Sequence, residues 1–142
     1  EMDANDIQGP NVRVNDNGKK VWFKMDKTFK KPKLNVKVRV FAPNLNDTVD
    51  NQNMTDLITV ILEDELSELT YAFEKAKVYY SVERDGNSLV FSFSGYNDKL
   101  NMLIDTVLSY FINLRITKKN YDVNFEKIQR SIESYKKSQP YQ

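Results

Sequence analysis

The clearest pattern in the chain is an alternation of apolar and polar residues over residues 34–41. Successive side chains of a β-strand point to opposite faces, so this pattern predicts a half-buried strand that ends before Pro43. One face is apolar, and the other is polar and directed toward solvent or a partner. The apolar positions are Leu34, Val36, Val38 and Val40, and the polar positions are Asn35, Lys37 and Arg39.

A different period, of three and four residues, runs through residues 49–75 and predicts one long amphipathic helix. The short polar side chains of Asn46, Asp47 and Thr48 precede this segment and favour the start of a helix. Apolar residues recur along one side of the predicted helix. They are Met54, Leu57, Ile58, Ile61, Leu62, Leu66, Leu69 and Phe73.

A β-hairpin is expected after the long helix. Its strands are predicted over residues 78–83 and 88–94, and the segment between them contains Asp85-Gly86. An Asp-Gly pair between two apolar runs is a strong hairpin signal, because both residues tolerate the backbone angles of a tight turn. Alternate positions of the second strand share one face and are Leu89, Phe91 and Phe93.

The last third of the chain predicts two further helices. Asp98 is suited to the N-cap of the first helix, and Thr117 can cap the second. The second helix has only a thin apolar stripe, which predicts a position on the outside of the domain, and Gln139-Pro140 ends it. The first stripe is Leu100, Leu103, Ile104, Val107, Leu108, Phe111 and Ile112, and the second is Tyr121, Phe125, Ile128, Ile132 and Tyr135.

The order of these elements predicts the fold class. Residues 21–23 form a short apolar run suited to a strand, so the order is strand, strand, long helix, hairpin, helix, helix. Antiparallel strands with helices packed on one face give a two-layer α+β fold. Residues 1–18 are polar and contain Gly9-Pro10, and we expect them to be a linker to a domain over residues 19–142.

The composition of the chain excludes several kinds of catalytic and metal-binding site. The chain has 142 residues, 40% of them hydrophobic, which fits one folded domain or part of a larger one. It has neither histidine nor cysteine, which excludes Ser-His and Cys-His nucleophiles and cysteine-based zinc sites. The four glycines, at positions 9, 18, 86 and 95, are too scattered for a phosphate-binding loop. We predict no catalytic residue, no metal site and no cofactor within the chain.

Three other kinds of partner are disfavoured by the sequence. Glu63-Asp64-Glu65 is the nearest approach to a metal-ligand cluster, but adjacent side chains of a helix point in different directions. No apolar run is long enough to span a membrane, and the polar first residues are no signal peptide. The strand with Leu89, Phe91 and Phe93 lacks the basic and glycine residues of an RNA-recognition sheet, so nucleic acid is an unfavoured partner.

Charge is unevenly distributed although the net charge is only +1. Residues 19–39 contain nine basic residues and one acidic residue, whereas residues 42–74 contain no Lys or Arg. Such a division produces two faces of opposite sign. These are two solvated faces or, in an alternative that stays open, a polyanion-binding module in the stretch Lys19–Arg39. Its phosphate contacts would be Lys30, Lys31 and Lys33.

Several short motifs, taken in their order and spacing, resemble a known family. They are Trp22-Phe23-Lys24-x-Asp26, Phe29, Pro32-Lys33, Asn53-Met54, Tyr71-Ala72, Gly95-Tyr96-Asn97-Asp98-Lys99 and Gln139-Pro140. From about residue 19 to residue 142 the chain is similar to the third domain of insulin-degrading-enzyme-like zinc proteases, the insulinase/pitrilysin family. The resemblance implies a non-catalytic, insulinase/pitrilysin-type domain that is incomplete at its C-terminal end.

The resemblance also implies a function and its partners. Family members have four related α/β domains that close around a peptide chamber, and their first domain holds zinc on a His-x-x-Glu-His helix. This chain is therefore expected to help enclose peptides in a cytoplasmic zinc metalloendopeptidase. Its partners would be the other domains of the same polypeptide and the peptide substrates. Zinc would lie in the first domain, and this chain alone would be inactive.

Two groups of residues receive roles from this hypothesis. The segment Gly95, Tyr96, Asn97 and Asp98 is expected to form a structural corner, in which Gly95 permits a turn and Asp98 caps a helix. The polar strand face formed by Asn35, Lys37 and Arg39 is expected to face the chamber. An incomplete domain would leave apolar surface exposed, which predicts weak self-association. The alternative function is a degenerate peptidase-like scaffold or interaction protein.

Overall fold

The structure is a computed structural model that describes residues 9–26 and 31–137. The chain divides into two compact units, residues 1–32 and residues 33–142. The larger, second unit combines an antiparallel sheet with three helices, and the predicted α+β class is therefore confirmed.

The first unit contains a two-stranded antiparallel hairpin of β1 (Asn11–Asp16) and β2 (Lys19–Phe23). The two residues between the strands, Asn17 and Gly18, have φ angles of 48° and 74°. Positive φ at both central positions matches the twist of two-residue hairpins, and Asn-Gly is the pair that adopts it most readily. Residues 11–16 of the expected linker therefore form a strand, and the Asn-Gly pair was the sequence signal that could have identified the hairpin.

The second unit is built on a three-stranded antiparallel sheet in the order β3-β5-β4. The central strand therefore comes last along the chain, and it pairs with both neighbours over most of its length. The turn between the last two strands contains Asp85-Gly86, as predicted, and Asp85 and Ser88 exchange two backbone hydrogen bonds of 2.9 and 3.2 Å. The strands are β3 (Lys33–Phe41), β4 (Tyr79–Arg84) and β5 (Ser88–Tyr96).

Three helices complete the second unit, and they are α1 (Val49–Lys75), α2 (Asn97–Ile112) and α3 (Lys118–Lys137). The first has the bounds that the sequence predicted. Its N-cap is Thr48, whose hydroxyl accepts a 3.1 Å hydrogen bond from the backbone N–H of Asn51. Thr117 does the same for α3 through the backbone N–H of Asn120, at 3.2 Å.

The hydrophobic core lies between the sheet and the helices α1 and α2, and α3 packs against α1. Alternate residues of β5 enter this core, as predicted, and the ring of Phe91 lies 4.9 Å from that of Phe111 on α2. The fully buried centre consists of Leu62, Leu66, Val78, Phe91, Phe93, Leu100, Leu103 and Val107. The predicted outer position of α3 is thus confirmed, and the helices lie on one face of the sheet.

Three positions of the apolar stripes predicted for α1 and α2 are not buried. Met54 and Leu69 on α1 are half exposed, and Ile112 on α2 is mostly exposed. Thr55 and Thr70 are buried instead, and each hydroxyl donates to the backbone carbonyl four residues earlier, at 2.7 and 2.9 Å. This internal hydrogen bond satisfies a buried hydroxyl, so threonine can occupy a core position that a count of apolar residues overlooks.

Candidate functional site

The face of the sheet opposite the helices is exposed along its two outer strands, whereas Val90 on the central strand is buried, and we call this face the open sheet face. Cross-strand partners point to the same side of a sheet, so the register places Asn35 and Tyr79 on either side of Ser94. The next positions along the strands repeat this arrangement. On β3 the open sheet face carries Asn35, Lys37 and Arg39, on β4 Tyr79, Ser81 and Glu83, and on β5 Val90, Ser92 and Ser94.

The three polar residues predicted to line a chamber therefore do share one exposed face, but they differ in their surroundings. Arg39 is held by the turn between β4 and β5, since its guanidinium lies 2.5 Å from the Asp85 carboxylate and 3.1 Å from the hydroxyl of Ser88. Lys37 has no carboxylate within 4.0 Å among the described residues. Charge is thus compensated at one end of the open sheet face and uncompensated toward the other.

That uncompensated end contains a shallow cavity of about 510 Å³, which we call the lysine cleft. Gly95 forms part of its floor, and the ammonium of Lys33 lies 5.3 Å from the ring centroid of Tyr96, a cation–π distance. None of the lining residues is acidic. The other residues that line the cleft are Lys33, Asn35, Lys77, Tyr79, Ser94 and Tyr96.

Three members of the lysine cleft, Lys77, Tyr79 and Ser94, were missed by sequence reasoning. Lys77 lies in the turn between α1 and β4, and Tyr79 is the first residue of β4. The alternation on β4 was a usable signal for Tyr79, because Val82 is buried and Tyr79 lies three positions away on the opposite face. The position of Lys77 depends on how the turn crosses the end of β5, and no local pattern indicates it.

The predicted structural corner is present, but its details differ from the prediction. Strand β5 does not break at Gly95; it continues to Tyr96, and α2 begins at Asn97. Tyr96 is the N-cap residue and makes no side-chain capping hydrogen bond, so the predicted cap at Asp98 is wrong. Asp98 lies in the first turn of α2, where its negative charge interacts favourably with the helix dipole.

The requirement for glycine at position 95 comes from a close backbone approach. Gly95 has φ +147°, which side chains of L-residues rarely allow. A Cβ atom built there would lie 2.7 Å from the carbonyl oxygen of Lys77 and 2.8 Å from the Cα atom of Val78. Gly95 thus lets the turn after α1 cross directly over the end of β5, which brings Lys77 to the cleft.

The acidic residues of α1 point to different partners. Asp64 lies 2.6 Å from the ammonium of Lys127 on α3. Glu65 accepts hydrogen bonds from the Tyr110 hydroxyl at 2.7 Å and from the Asn120 amide at 2.5 Å. These contacts hold the three helices together.

Two side chains of this region have a shifted pKa. The hydrogen bond from the Tyr110 hydroxyl to the Glu65 carboxylate raises the pKa of Tyr110. Burial raises the pKa of Glu63. Within residues 9–26 and 31–137 no group of three or more potential metal ligands is close enough to hold an ion.

The zinc that the resemblance implies does not fit the residues of this chain. The chain has no histidine and no cysteine, and Asp64 and Glu65 on α1 are engaged with separate partners. A catalytic zinc in a protein takes about three converging ligands, and hydrolytic sites nearly always use histidine among them.

The predicted polyanion contacts are not brought together as one described site. Lys30 lies outside the described residues. Lys31 belongs to the first unit, and Lys33 is the first residue of β3 in the second unit. The three-lysine site therefore stays a prediction, and the described structure assigns Lys33 to the lysine cleft instead.

A second cavity, of about 670 Å³, runs between α1 and α3 and is mainly apolar. It is open to solvent along one side, and three of its apolar side chains are 42–50% exposed: Met54, Phe125 and Ile132. The rings of Tyr121 and Phe125 stack there with centroids 5.7 Å apart. We call this cavity the α1–α3 groove.

Comparison with known proteins now assigns the chain to a family. The family model described as the middle or third domain of peptidase M16 matches residues 1–142. The chain belongs to the peptidase M16 family as its middle domain. The predicted family is therefore confirmed.

Individual relatives agree with this assignment. The M16 middle domain is 33% identical over 122 residues to the Arabidopsis thaliana protein named insulin-degrading enzyme-like 1, peroxisomal. The aligned residues cover 86% of this chain and 13% of that protein. It is 26% identical over 135 residues to a putative zinc protease of Schizosaccharomyces pombe, over 95% of this chain and 14% of that protein. The chain thus spans about one-seventh of the length of these relatives.

The fold also matches a solved structure. The crystal structure of pitrilysin superposes with a TM-score of 0.81 over 90% of this chain and 14% of the pitrilysin chain, at 20% sequence identity. The M16 middle domain therefore has the fold of a segment of pitrilysin. Among the described residues no helix is long and apolar enough to cross a membrane.

Proposed function

We propose that this M16 middle domain is a non-catalytic wall of the peptide compartment in a zinc metalloendopeptidase, with the open sheet face turned toward the peptide. The observation that carries this proposal is the match of the whole chain to the M16 middle domain. Peptide degradation is the activity named for a relative, the insulin-degrading-enzyme-like protein of Arabidopsis.

The chemistry of the chain fits a supporting role and no catalytic one. Hydrolysis of a peptide bond in a zinc protease needs a metal-bound water and a general base. This chain supplies no histidine, and its acidic helix is used for contacts between helices. Zinc would therefore be held by another domain of the same polypeptide, which is also the principal partner of this chain.

The open sheet face has the properties of a wall that meets a mobile peptide in water. Its serines and Asn35 offer hydrogen bonds, and its charged side chains are solvated. A peptide can slide over such a surface because no deep apolar pocket on it has to be filled before binding. The helices on the other face bury the apolar side chains of the sheet and keep the wall rigid.

The proposal is tested in the full-length parent polypeptide with a photo-crosslinking amino acid at Ser81, on the open sheet face. The matched control carries the same amino acid at Ser109, an exposed residue on α2. A labelled peptide substrate should crosslink from position 81 and not from position 109, and a zinc chelator should abolish its cleavage. Cleavage without crosslinking from position 81 would contradict the orientation of the wall.

The scaffold alternative predicts a different pair of results. A degenerate peptidase would give crosslinks to a bound protein or peptide without any chelator-sensitive cleavage. A native polypeptide near the 16.6 kDa of this chain would also favour the scaffold, whereas a band several times larger would favour the multidomain protease. A cytoplasmic location stays a prediction, to be checked by fractionation, and the Arabidopsis relative is named as peroxisomal.

Weak self-association through the α1–α3 groove is the remaining proposal about partners. Exposed apolar side chains such as Phe125 and Ile132 lose their contact with water when two copies meet. Sedimentation velocity should show a mass that rises with concentration, and Phe125→Glu should reduce the rise. A strictly monomeric chain at several hundred micromolar would contradict it.

A further inference from the structure

The lysine cleft combines features that select a negatively charged ligand. Resting on the proposed function, we infer that it is a subsite for acidic residues: Lys33 and Lys77 bind a side-chain carboxylate of a peptide lying on the open sheet face. The charge and hydrogen-bonding groups of the cleft carry this inference.

The two lysines bring positive charge that no carboxylate of the described residues compensates within 4.0 Å. The cleft itself is lined by no acidic side chain. Two uncompensated cations beside one concave surface attract anions, because the cavity walls displace water that would otherwise screen them. The acidic residue Glu83 lies at the other end of β4.

Both lysines are attached to rigid backbone. Lys33 is paired across the sheet with Tyr96, and its ammonium lies over the Tyr96 ring. Lys77 occupies the position after the C-cap of α1 with φ +60°, where glycine is usual. Its N–H donates to the carbonyl of Glu74, and the N–H of Val78 donates to the carbonyl of Phe73, both at 3.0 Å. These hydrogen bonds fix the backbone of Lys77, from which its flexible side chain extends.

The shape of the site favours a peptide over a small free anion. A cavity of about 510 Å³ holds far more than one phosphate ion, and it opens onto the flat open sheet face. Asn35, Tyr79 and Ser94 lie side by side in the sheet register and offer neutral hydrogen-bonding groups next to the lysines. A peptide can therefore place a carboxylate between the lysines while its backbone amides meet these neutral groups.

The direct test is an NMR titration of the ¹⁵N-labelled 142-residue chain. The probes are a blocked hexapeptide with two adjacent glutamates, its twin with two glutamines, and sodium phosphate. The glutamate peptide should shift the backbone amides of residues 33–35, 77–79 and 94–96 saturably, and the glutamine twin should not. Equal shifts from both peptides would overturn the carboxylate specificity. Tighter saturation of the same amides by phosphate would overturn the assignment to a peptide.

Two pairs of variants that remove the same charge distinguish binding at the lysine cleft from attraction of the peptide by the net charge of the chain. Lys33→Gln combined with Lys77→Gln should weaken binding of the glutamate peptide at least about fivefold, since partly exposed ion pairs contribute modestly. Lys118→Gln combined with Lys119→Gln removes the same charge from α3 and should change binding less than about twofold. Equal losses in both pairs would show that net charge alone attracts the peptide and would overturn the site.

Lys77→Gly tests the contribution of the Lys77 side chain in a variant that is expected to stay folded. Glycine suits the positive φ at this position, so this variant should be at least as stable as the parent chain while it binds the glutamate peptide more weakly. Unchanged binding by Lys77→Gly would remove Lys77 from the subsite.

A readout in the full-length parent distinguishes the two proposals. If the parent degrades peptides, the Lys33→Gln/Lys77→Gln pair should raise KM for the glutamate-containing substrate and leave KM for its glutamine twin unchanged. Equal effects on both substrates would contradict the subsite and leave the peptide wall intact. If the parent cleaves nothing, the proposed protease function fails, and the NMR titration still decides whether the lysine cleft binds carboxylates.

Discussion

Replacement of Gly95 by alanine tests how the turn after α1 is fitted against the end of β5. The new Cβ atom would lie 2.7 Å from the carbonyl oxygen of Lys77 and 2.8 Å from the Cα atom of Val78. Both are backbone atoms, so no side-chain rotation can relieve the clash. Either the turn or the strand has to move, and both are packed into the core through Val78 and Phe93.

Two costs add in this variant. Holding alanine at φ +147° costs roughly 1–3 kcal/mol, as for other residues in sparsely populated backbone regions. Overpacking of a well-packed site costs a further 1–3 kcal/mol or so. We therefore expect Gly95→Ala to lower the free energy of unfolding by about 2–6 kcal/mol, a large fraction of the 5–15 kcal/mol or so typical of a domain.

Gly86→Ala is the matched control. Gly86 also has a positive φ, of 56°, but a Cβ atom there would meet nothing within 4 Å. Only the backbone cost of roughly 1–2 kcal/mol remains, and alanine partly offsets it by restricting the unfolded chain. The difference between the two variants therefore isolates the close approach at Gly95 from the general preference for glycine.

Urea unfolding followed by circular dichroism at 222 nm measures both variants, because the helices lie in the second unit. Fluorescence of Trp22 would follow the first unit and is the wrong probe. In thermal melts, Gly95→Ala should lower Tm by roughly 5–20 °C, at about 2–4 °C per kcal/mol for a chain of this size. If Gly95→Ala costs no more stability than Gly86→Ala, the argument from the backbone contact is wrong.

Three further predictions concern single side chains of the second unit. Lys77→Gly should raise the free energy of unfolding by roughly 1 kcal/mol, because glycine adopts the positive φ at this helix end without strain; a loss of stability in urea would contradict it. Asn124→Leu should leave the free energy of unfolding unchanged or raise it by about 1 kcal/mol, because Asn124 is buried and its side-chain carbonyl oxygen has no hydrogen-bond partner among the described residues. A fall of more than about 2 kcal/mol in the free energy of unfolding would show that the amide is satisfied. Tyr110→Phe should cost about 1–2 kcal/mol at pH 7, because the hydroxyl donates to the Glu65 carboxylate. That hydrogen bond raises the pKa of Tyr110, so its contribution is complete below the ordinary value of 10.0 and is lost as the pH rises from there through the raised pKa. Unfolding free energies measured between pH 7 and pH 11 should therefore converge for the two proteins at the alkaline end, and a constant difference would contradict the pKa assignment.

The elements that the sequence located well are those whose signals lie close together along the chain. Helix α1 has its predicted bounds because Thr48 caps it and its apolar period continues without interruption to the turn. The β4–β5 hairpin was found because Asp85-Gly86 specifies a tight turn on its own. The β1–β2 hairpin carries an equally local signal, Asn17-Gly18, but only its second strand was predicted, because residues 1–18 are polar and contain Gly9-Pro10.

Sequence by itself determined the family, the α+β class and the polar face of β3, since these depend on residue order and on alternation within single segments. Only the tertiary structure decided which residues share a site. The register of the sheet places Lys33 beside Tyr96, 63 positions later in the chain. The turn that carries Lys77 passes over the end of β5 at Gly95, next to this pair. Such contacts depend on the pairing of strands distant in sequence, and alternation specifies which face a side chain occupies without specifying its neighbour on the next strand.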